Sequence, residues 1–188
     1  MPSEKRMIVK GTGPLALDSF VKTRFPNRYA EWKAALPPES AKYYKVVLAF
    51  QEFPLYDGLI RPTEVLCDLF FDGHERGAFE SGKFSASFAL KGFYKILFKF
   101  GSPQFIIDRA ARVFSSYYPE GELRVAESSP GRCVLQIVRF PEPYRLLEVN
   151  IGGWVEGALE VLGKEGSVNV VRSMAMGDSL TEYVAQWK

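Results

Sequence analysis

The sequence predicts an α+β fold, in which a helical N-terminal half packs on a small antiparallel sheet of about four strands. Apolar residues recur every three to four positions through most of residues 12–118, a spacing typical of amphipathic helices. The period changes to two within 122–140 and again within 168–187, and a turn sequence interrupts each segment, which indicates two β-hairpins. A helical segment separates them. We therefore expect one sheet built from two hairpins with a helix between them.

The N-terminal half begins with a short apolar segment, 7–10, which predicts a strand or an extended arm ended by Gly11-Thr12-Gly13-Pro14. Four helices bounded by proline or glycine are expected next. Segment 53–61 is expected to be irregular, and Pro62 then begins the fourth helix, which ends at Asp72-Gly73. The apolar faces of the four helices are Leu17, Phe20, Val21 and Phe25; Tyr29, Trp32 and Leu36; Ala41, Tyr44 and Leu48; and Val65, Leu66, Leu69 and Phe70.

The centre of the chain contains the longest helical pattern. Its apolar residues recur from Ala86 to Leu97, and Gly101-Ser102-Pro103 ends it. A further helix is expected over 104–118, because the same spacing continues until Pro119.

The C-terminal part is expected to contain a β-hairpin, a helix and a second β-hairpin, in that order. Strand 122–126 is followed by strand 133–140, which is apolar on both faces and is therefore expected to be covered. An apolar stripe over 151–162 predicts a helix ended by Gly163. The second hairpin then turns at 176–179.

Length and composition restrict the class of protein. The chain has 188 residues, of which 47% are apolar, and a net charge of +2. We expect a single domain over 1–188, with a helical part at 1–72 and an α+β core at 73–188. The small net charge argues against a nucleic-acid partner. The N-terminus lacks the apolar core of a signal peptide, so a cytoplasmic location is expected.

The sequence contains no recognisable catalytic or metal-binding constellation. His74 is the only histidine, and its polar surroundings predict a solvated surface position. With one histidine and two widely separated cysteines, zinc-ligand spacing is absent. We therefore expect no catalytic residues and no metal, and an enzyme is the least favoured class.

Cys67 has two interpretations. It lies inside the apolar segment 65–71, which favours a buried and unreactive thiol, and the alternative is acylation by a fatty chain. Cys133, beside Val134 and Leu135 in a strand, is expected in the core.

A lysine stripe follows the central helix. Lys91, Lys95 and Lys99 repeat every four residues opposite the apolar face. A solvated helix face explains the pattern, and the alternative is a docking surface for an anionic partner or membrane.

Aromatic residues are dense in the helical half. Most are expected to pack in the core, but large rings on converging helices also form the wall of an apolar ligand pocket. The candidate pocket residues are Phe84, Phe88, Phe93, Phe114 and Tyr117.

Several motifs in the second part of the chain resemble a known superfamily. They are Tyr118-Pro119-Glu120-Gly121, the strand 133–140, the helix segment 152–160 and the ending 182–187. On these motifs, residues 73–187 resemble the α+β superfamily of haem–nitric-oxide-binding domains, bacterial 4-vinyl-reductase-type ligand domains and TRAPP subunits of Golgi transport. Within it, the likeness is closest to an uncharacterised family of bacterial domains. Because these motifs are packing and turn signals, the resemblance implies a fold and no activity.

The resemblance also argues against haem. The haem binders of the superfamily have a proximal histidine on a helix before the first hairpin, and the corresponding segment 104–118 has none. Their Tyr-x-Ser-x-Arg motif would fall on 135–139, where only Arg139 matches. No haem, and no other cofactor, is therefore expected. TRAPP subunits hold an acylated cysteine in a tunnel, a part that the resemblance would give to Cys67.

Together these observations predict a non-enzymatic sensor or adaptor domain with an aromatic-lined pocket for a small apolar ligand. The alternative is a protein–protein assembly module similar to TRAPP subunits, in which helical faces form a homodimer or bind another protein and no ligand is needed. Contact with a membrane surface is a lesser alternative.

Overall fold

The structure is a computed structural model that describes residues 7–91 and 102–188. Strand β1 (Ile8–Lys10) pairs antiparallel with β2 (Glu52–Pro54), and Val9 lies opposite Phe53 in the register. The expected strand at 7–10 is therefore present, but its partner lies far along the chain. The helices between the two strands are α1 (Thr12–Arg24), α2 (Tyr29–Ala35) and α3 (Pro38–Ala41).

The segment 53–61 is more regular than expected. It contains most of β2 and a π-helical turn, Tyr56–Ile60, that continues directly into α4 (Arg61–Phe70). A strand of three residues is too short to show a period in the sequence, and it forms because β1 supplies its hydrogen bonds. Pro62 lies in the first turn of α4, as expected, where its missing N–H has no cost.

The third helix is shorter than its apolar pattern suggests. Helix α3 ends at Ala41 and a 3-10 turn, Lys42–Tyr44, follows. Leu48, expected on the same helical face, therefore lies in an exposed loop.

Aromatic side chains hold the N-terminal half together. Trp32 is fully buried and its Nε1 donates a hydrogen bond to the carbonyl oxygen of Pro62 at 3.2 Å. Tyr44 packs edge to face on Trp32 with ring centroids 5.2 Å apart, and its hydroxyl donates to the carbonyl oxygen of Gly58 at 2.9 Å. Both buried donors are thus satisfied, so these rings fix α2 and the 3-10 turn against α4 and the π-helical turn.

The described residues near the middle of the chain, 76–91 and 103–117, are mostly helical, with a break at 108–109 that the pattern did not show. Helix α5 (Arg76–Lys91) corresponds to the expected central helix as far as it is described. The expected helix 104–118 is two helices, α6 (Pro103–Ile107) and α7 (Ala110–Tyr117). The intervening turn is so short that Ile107 and Phe114 both remain buried.

The C-terminal part contains the four-stranded sheet. The strands are β3 (Glu122–Ser129), β4 (Arg132–Arg139), β5 (Gly166–Arg172) and β6 (Thr181–Trp187). Their order is β3-β4-β6-β5 and every pairing is antiparallel. Helix α8 (Arg145–Val161) connects the two hairpins and covers one face of the sheet. The α+β fold class, with a helical half on a sheet of two hairpins, is confirmed.

Helices α5 and α8 approach so closely that their backbones touch. A Cβ atom on Gly153 would lie 2.1 Å from the carbonyl oxygen of Phe79, and one on Gly157 would lie 2.6 Å from that of Lys83. In the other direction, a Cβ on Gly82 would lie 2.0 Å from the carbonyl oxygen of Asn150. Glycine is therefore required at the crossing, since any side chain would force the helices apart.

A buried carboxylate connects α8 to the second hairpin. Glu148 is 4% exposed and accepts hydrogen bonds from the hydroxyls of Ser173 and Thr181. It also accepts one from the backbone N–H of Ala175 at 3.2 Å. These hydrogen bonds compensate the cost of burying a carboxylate. Because the donors lie between the end of β5 and the start of β6, Glu148 fixes this part of the chain to α8.

The described helices are too short or too polar to cross a bilayer. The longest, α8, has 17 residues, and within 7–91 and 102–188 no helix is both long and apolar enough to span a membrane.

Candidate ligand-binding site

An apolar cavity of about 100 Å³ lies between the helices and the inner face of the four-stranded sheet. Both halves of the chain contribute to its wall: Leu17 comes from α1, Leu59 from the π-helical turn, and Leu135 from β4. The largest share comes from α7 and α8. The wall residues of these two helices are Ala110, Val113, Phe114, Tyr117, Asn150, Ile151, Trp154, Val155, Ala158 and Leu159.

Helical spacing places these side chains on the cavity. On α7 the wall residues follow one another at three- and four-residue intervals, and on α8 the stripe from Ile151 to Leu159 does the same. On β4, Cys133 and Leu135 are two residues apart and therefore point to the same face of the sheet. The cavity thus forms where two helical faces and one sheet face meet.

The described wall contains polar atoms but no charged side chain. Ser81, Ser85 and Asn150 form its polar part, and the Nδ2 of Asn150 donates to the carbonyl oxygen of Ala78 and the hydroxyl of Ser81. The indole Nε1 of Trp154 is buried and has no acceptor within the described residues. A ligand in this cavity would therefore meet hydrocarbon and a few neutral dipoles.

Burial disfavours ionisation of two titratable groups in the described wall. It raises the pKa of the Cys133 thiol to about 11, and it also raises the pKa of the Tyr118 hydroxyl. Neither group ionises near neutral pH, so neither offers an anion to a cation or a metal ion.

The expected pocket residues are divided between three places. Phe114 and Tyr117 are part of the cavity wall. Phe84 instead packs edge to face on Phe20, with ring centroids 5.5 Å apart, and stacks on Phe88 at 6.1 Å. Phe93 lies outside the described residues. The ligand role of these residues stays a prediction.

Cys67 lies away from the cavity wall. It is buried on α4, and a Cβ on Gly77 would approach its Sγ to 2.9 Å, so the thiol packs directly against the start of α5. Burial raises the pKa of this thiol to about 11. The thiol that does line the cavity is Cys133. Acylation of Cys67 stays a prediction.

The remaining expected residues contribute nothing to this site as described. Lys91 is the last described residue of α5, and Lys95 and Lys99 lie outside the described residues, so their docking role stays a prediction. His74 is exposed. No group of three or more histidine, cysteine or acidic residues suited to a metal ion occurs in the described ranges.

Several wall residues were not among the candidates chosen from the sequence. Trp154, Val155 and Leu159 belong to the apolar stripe of α8, which the sequence shows, but the stripe alone does not indicate a cavity. Leu17 belongs to a helix more than a hundred residues earlier in the chain. Only the tertiary structure brings these faces together.

Comparison with known proteins identifies the fold. No protein-family model and no curated protein matches the chain. Among solved structures, an H-NOX protein from S. oneidensis in the Fe(II)NO ligation state is similar with a TM-score of 0.73 and 11% identity, over 95% of this chain and 99% of that one. Fe(II) unliganded H-NOX protein from K. algicida gives a TM-score of 0.68 at 9% identity, over 95% and 96%.

The NMR structure of the H-NOX domain from Shewanella oneidensis in the Fe(II)CO ligation state gives a TM-score of 0.70 at 13% identity, over 95% and 98% of the two chains. The chain therefore has an H-NOX-like fold, and the expected resemblance to haem–nitric-oxide-binding domains is confirmed at the level of the fold.

The described cavity does not fit a haem group. Haem needs an axial ligand, and its propionates need cationic partners, but the described wall holds no histidine and no charged side chain. A cysteine would ligate the iron as a thiolate, and burial raises the pKa of the Cys133 thiol to about 11, which disfavours that form. Arg139, the one residue that matches the propionate motif, is engaged elsewhere. Its Nη1 donates to the carbonyl oxygen of Glu120 at 2.7 Å and its Nε lies 3.6 Å from the carboxylate of Glu122.

Proposed function

We propose that this chain is a ligand-binding sensor domain that takes up a small apolar molecule in its cavity and does so without haem. The observation that carries the proposal is an apolar cavity, without charge in its described wall, between the helices and the sheet. Two of the H-NOX structures of similar fold are in the Fe(II)NO and the Fe(II)CO ligation state. This likeness supports a sensor role, while the neutral wall supports a ligand of a different kind.

The dimensions of the cavity indicate the class of ligand. Its volume is about 100 Å³, and a dry apolar cavity of about 150 Å³ in another protein binds benzene. We infer a ligand of that order, with a single ring or a short alkyl chain. A charged ligand is disfavoured, because the described wall has no group to compensate it.

The position of the cavity suggests how a bound ligand would be sensed. Its wall includes Leu17 of α1, Leu135 of β4 and Ile151 of α8, which belong to different layers of the fold. A ligand that contacts all three favours the arrangement of these layers that it contacts best. We infer that occupancy would be sensed through the packing of the helices on the sheet.

Titration with toluene tests the proposal. Methyl groups of Leu135, Ile151 and Leu159 should show saturable chemical-shift changes in ¹H–¹³C NMR spectra, because they line the cavity. Val155→Phe places a larger side chain in the wall and should abolish the changes.

The matched control is Val125→Phe, the same substitution at an exposed position of β3, which should bind toluene as the unmodified chain does. Shifts that do not saturate, or that persist unchanged in Val155→Phe, would contradict binding in this cavity.

The remaining expectations are narrower proposals. We propose a cytoplasmic location from the N-terminal sequence and a bacterial source from the superfamily resemblance. A homodimer belongs to the alternative function, that of an assembly module.

A further inference from the structure

An apolar loop, residues 45–51, stands out from the N-terminal half. Three of its large apolar side chains are exposed: Val46 by 67%, Leu48 by 39% and Phe50 by 81%. Val47 and Ala49, which alternate with them, are partly buried. The loop therefore presents one apolar row to the outside, and such a row is unusual on the surface of a protein without a partner.

The base of the loop is fixed on both sides. At its start, Tyr44 is buried in the core. At its end, Gln51 accepts a hydrogen bond from the backbone N–H of Gly11 at 2.8 Å, and its own N–H donates to the carbonyl oxygen of Leu48 at 3.1 Å. A Cβ on Gly11 would lie 2.1 Å from that same carbonyl oxygen, so the loop rests directly on the start of α1. The exposed row is therefore held in place by the fold.

Positive charge flanks the apolar row. Lys42 and Lys45 are exposed, and among the described residues neither forms an ion pair. The next carboxylate along the chain, that of Glu52, is already paired with Lys10. The surface around the loop thus combines large apolar side chains with two exposed lysines that form no ion pair within the described residues.

We propose that the apolar loop docks this protein on an anionic membrane surface. Val46, Leu48 and Phe50 would enter the boundary between headgroups and acyl chains, while Lys42 and Lys45 contact lipid phosphates. Protruding apolar side chains beside lysines match the layered chemistry of an anionic bilayer. The proposal is independent of the cavity and of its ligand.

Flotation with vesicles tests this proposal on the full chain. The protein should float with vesicles of phosphatidylcholine containing phosphatidylserine, and much less with phosphatidylcholine alone or at high salt. The variant Val46→Ser/Leu48→Ser/Phe50→Ser should reduce the bound fraction at least tenfold. Its thermal midpoint should stay close to that of the unmodified protein, because the three side chains are exposed.

Control variants separate this surface from others. Val171→Ser/Met176→Ser removes exposed apolar side chains elsewhere and should float normally. Flotation that is lost in Lys91→Glu/Lys95→Glu/Lys99→Glu but kept in the loop variant would overturn the proposal in favour of the lysine stripe.

Failure of the unmodified protein to float with the anionic vesicles would also overturn it. So would a concentration-dependent dimer, seen by analytical ultracentrifugation, that the loop variant abolishes, since the loop would then be an interface between copies.

Discussion

The contact between α5 and α8 leads to a sharp prediction about two neighbouring glycines. At Gly153 a Cβ would lie 2.1 Å from the carbonyl oxygen of Phe79. At Gly152 the nearest atom to a Cβ is Cγ2 of Val170 at 3.5 Å, an ordinary van der Waals distance. Both glycines are in the middle of the same helix. Alanine should therefore have opposite effects at the two positions.

The magnitude follows from two opposing contributions. Alanine in place of glycine inside a helix increases stability by about 1 kcal/mol. At Gly152 nothing opposes this gain, so Gly152→Ala should be about 1 kcal/mol more stable. At Gly153 the obstacle is a backbone carbonyl, which cannot rotate away, and overpacking of this kind costs about 3 kcal/mol. The net effect of Gly153→Ala is a loss of about 2 kcal/mol.

Urea denaturation followed by circular dichroism measures the difference directly. The free energies of unfolding of the two variants should differ by about 3 kcal/mol, which corresponds to roughly 6–12 °C in thermal midpoint for a chain of this size. A difference below about 1 kcal/mol, or a Gly153→Ala variant that is the more stable of the two, would refute the backbone contact between the helices.

Three further predictions concern buried groups and haem. Glu148→Ala should lower the free energy of unfolding by about 3 kcal/mol, because it leaves the buried hydroxyl donors of Ser173 and Thr181 unsatisfied. Glu148→Gln keeps an acceptor and should lower it by less. Equal losses in the two variants would contradict the role of the hydrogen bonds. The thiols of Cys67 and Cys133 have pKa values raised to about 11 from 9.0, so the unfolded chain loses these protons at lower pH than the folded chain does. The free energy of unfolding should therefore fall as the pH rises from 9 towards 11, and it should fall less steeply in Cys67→Ala/Cys133→Ala. An identical slope in the variant would show that the thiols are not responsible. Hemin added to the purified chain should give no one-to-one complex by absorbance titration, and a stoichiometric Soret band that saturates at one equivalent would contradict the haem-free proposal.

Local patterns in the sequence were sufficient for elements that depend on their own residues. Alternation predicts β6 because every second side chain from Thr181 to Ala185 is buried, and the stripe from Ile151 to Leu162 predicts α8 because one face of the helix is buried. The resemblance of the turn and packing motifs to a superfamily was also sufficient for the fold. These patterns depend on residues close together in the sequence, and the elements that they predict are present in the structure.

Features that depend on distant partners could not be read in the same way. Strand β2 exists because β1 pairs with it, and no period is visible in three residues. The spacing of Ala41, Tyr44 and Leu48 suggested a helical face, but the chain leaves the helix and returns to Gly11, which exposes Leu48. Nothing near residue 48 in the sequence indicates that contact.

The candidate site also combines features that the sequence predicts with features that depend on distant contacts. Phe114, Tyr117 and Phe84 were all chosen for their aromatic rings. Phe114 and Tyr117 lie on the cavity wall, whereas Phe84 packs on Phe20 instead. Ring density indicates burial without distinguishing core from cavity wall. That distinction depends on how α7, α8 and the sheet meet, which is a property of the whole fold.

Mass spectrometry of the protein as purified from cells tests the central claim most directly. Under native conditions we predict an additional small mass, bound without a covalent bond, that disappears under denaturing conditions and is missing from Val155→Phe. A mass equal to that of haem would contradict the account, as would a native spectrum of the bare chain that stays unchanged after toluene is added.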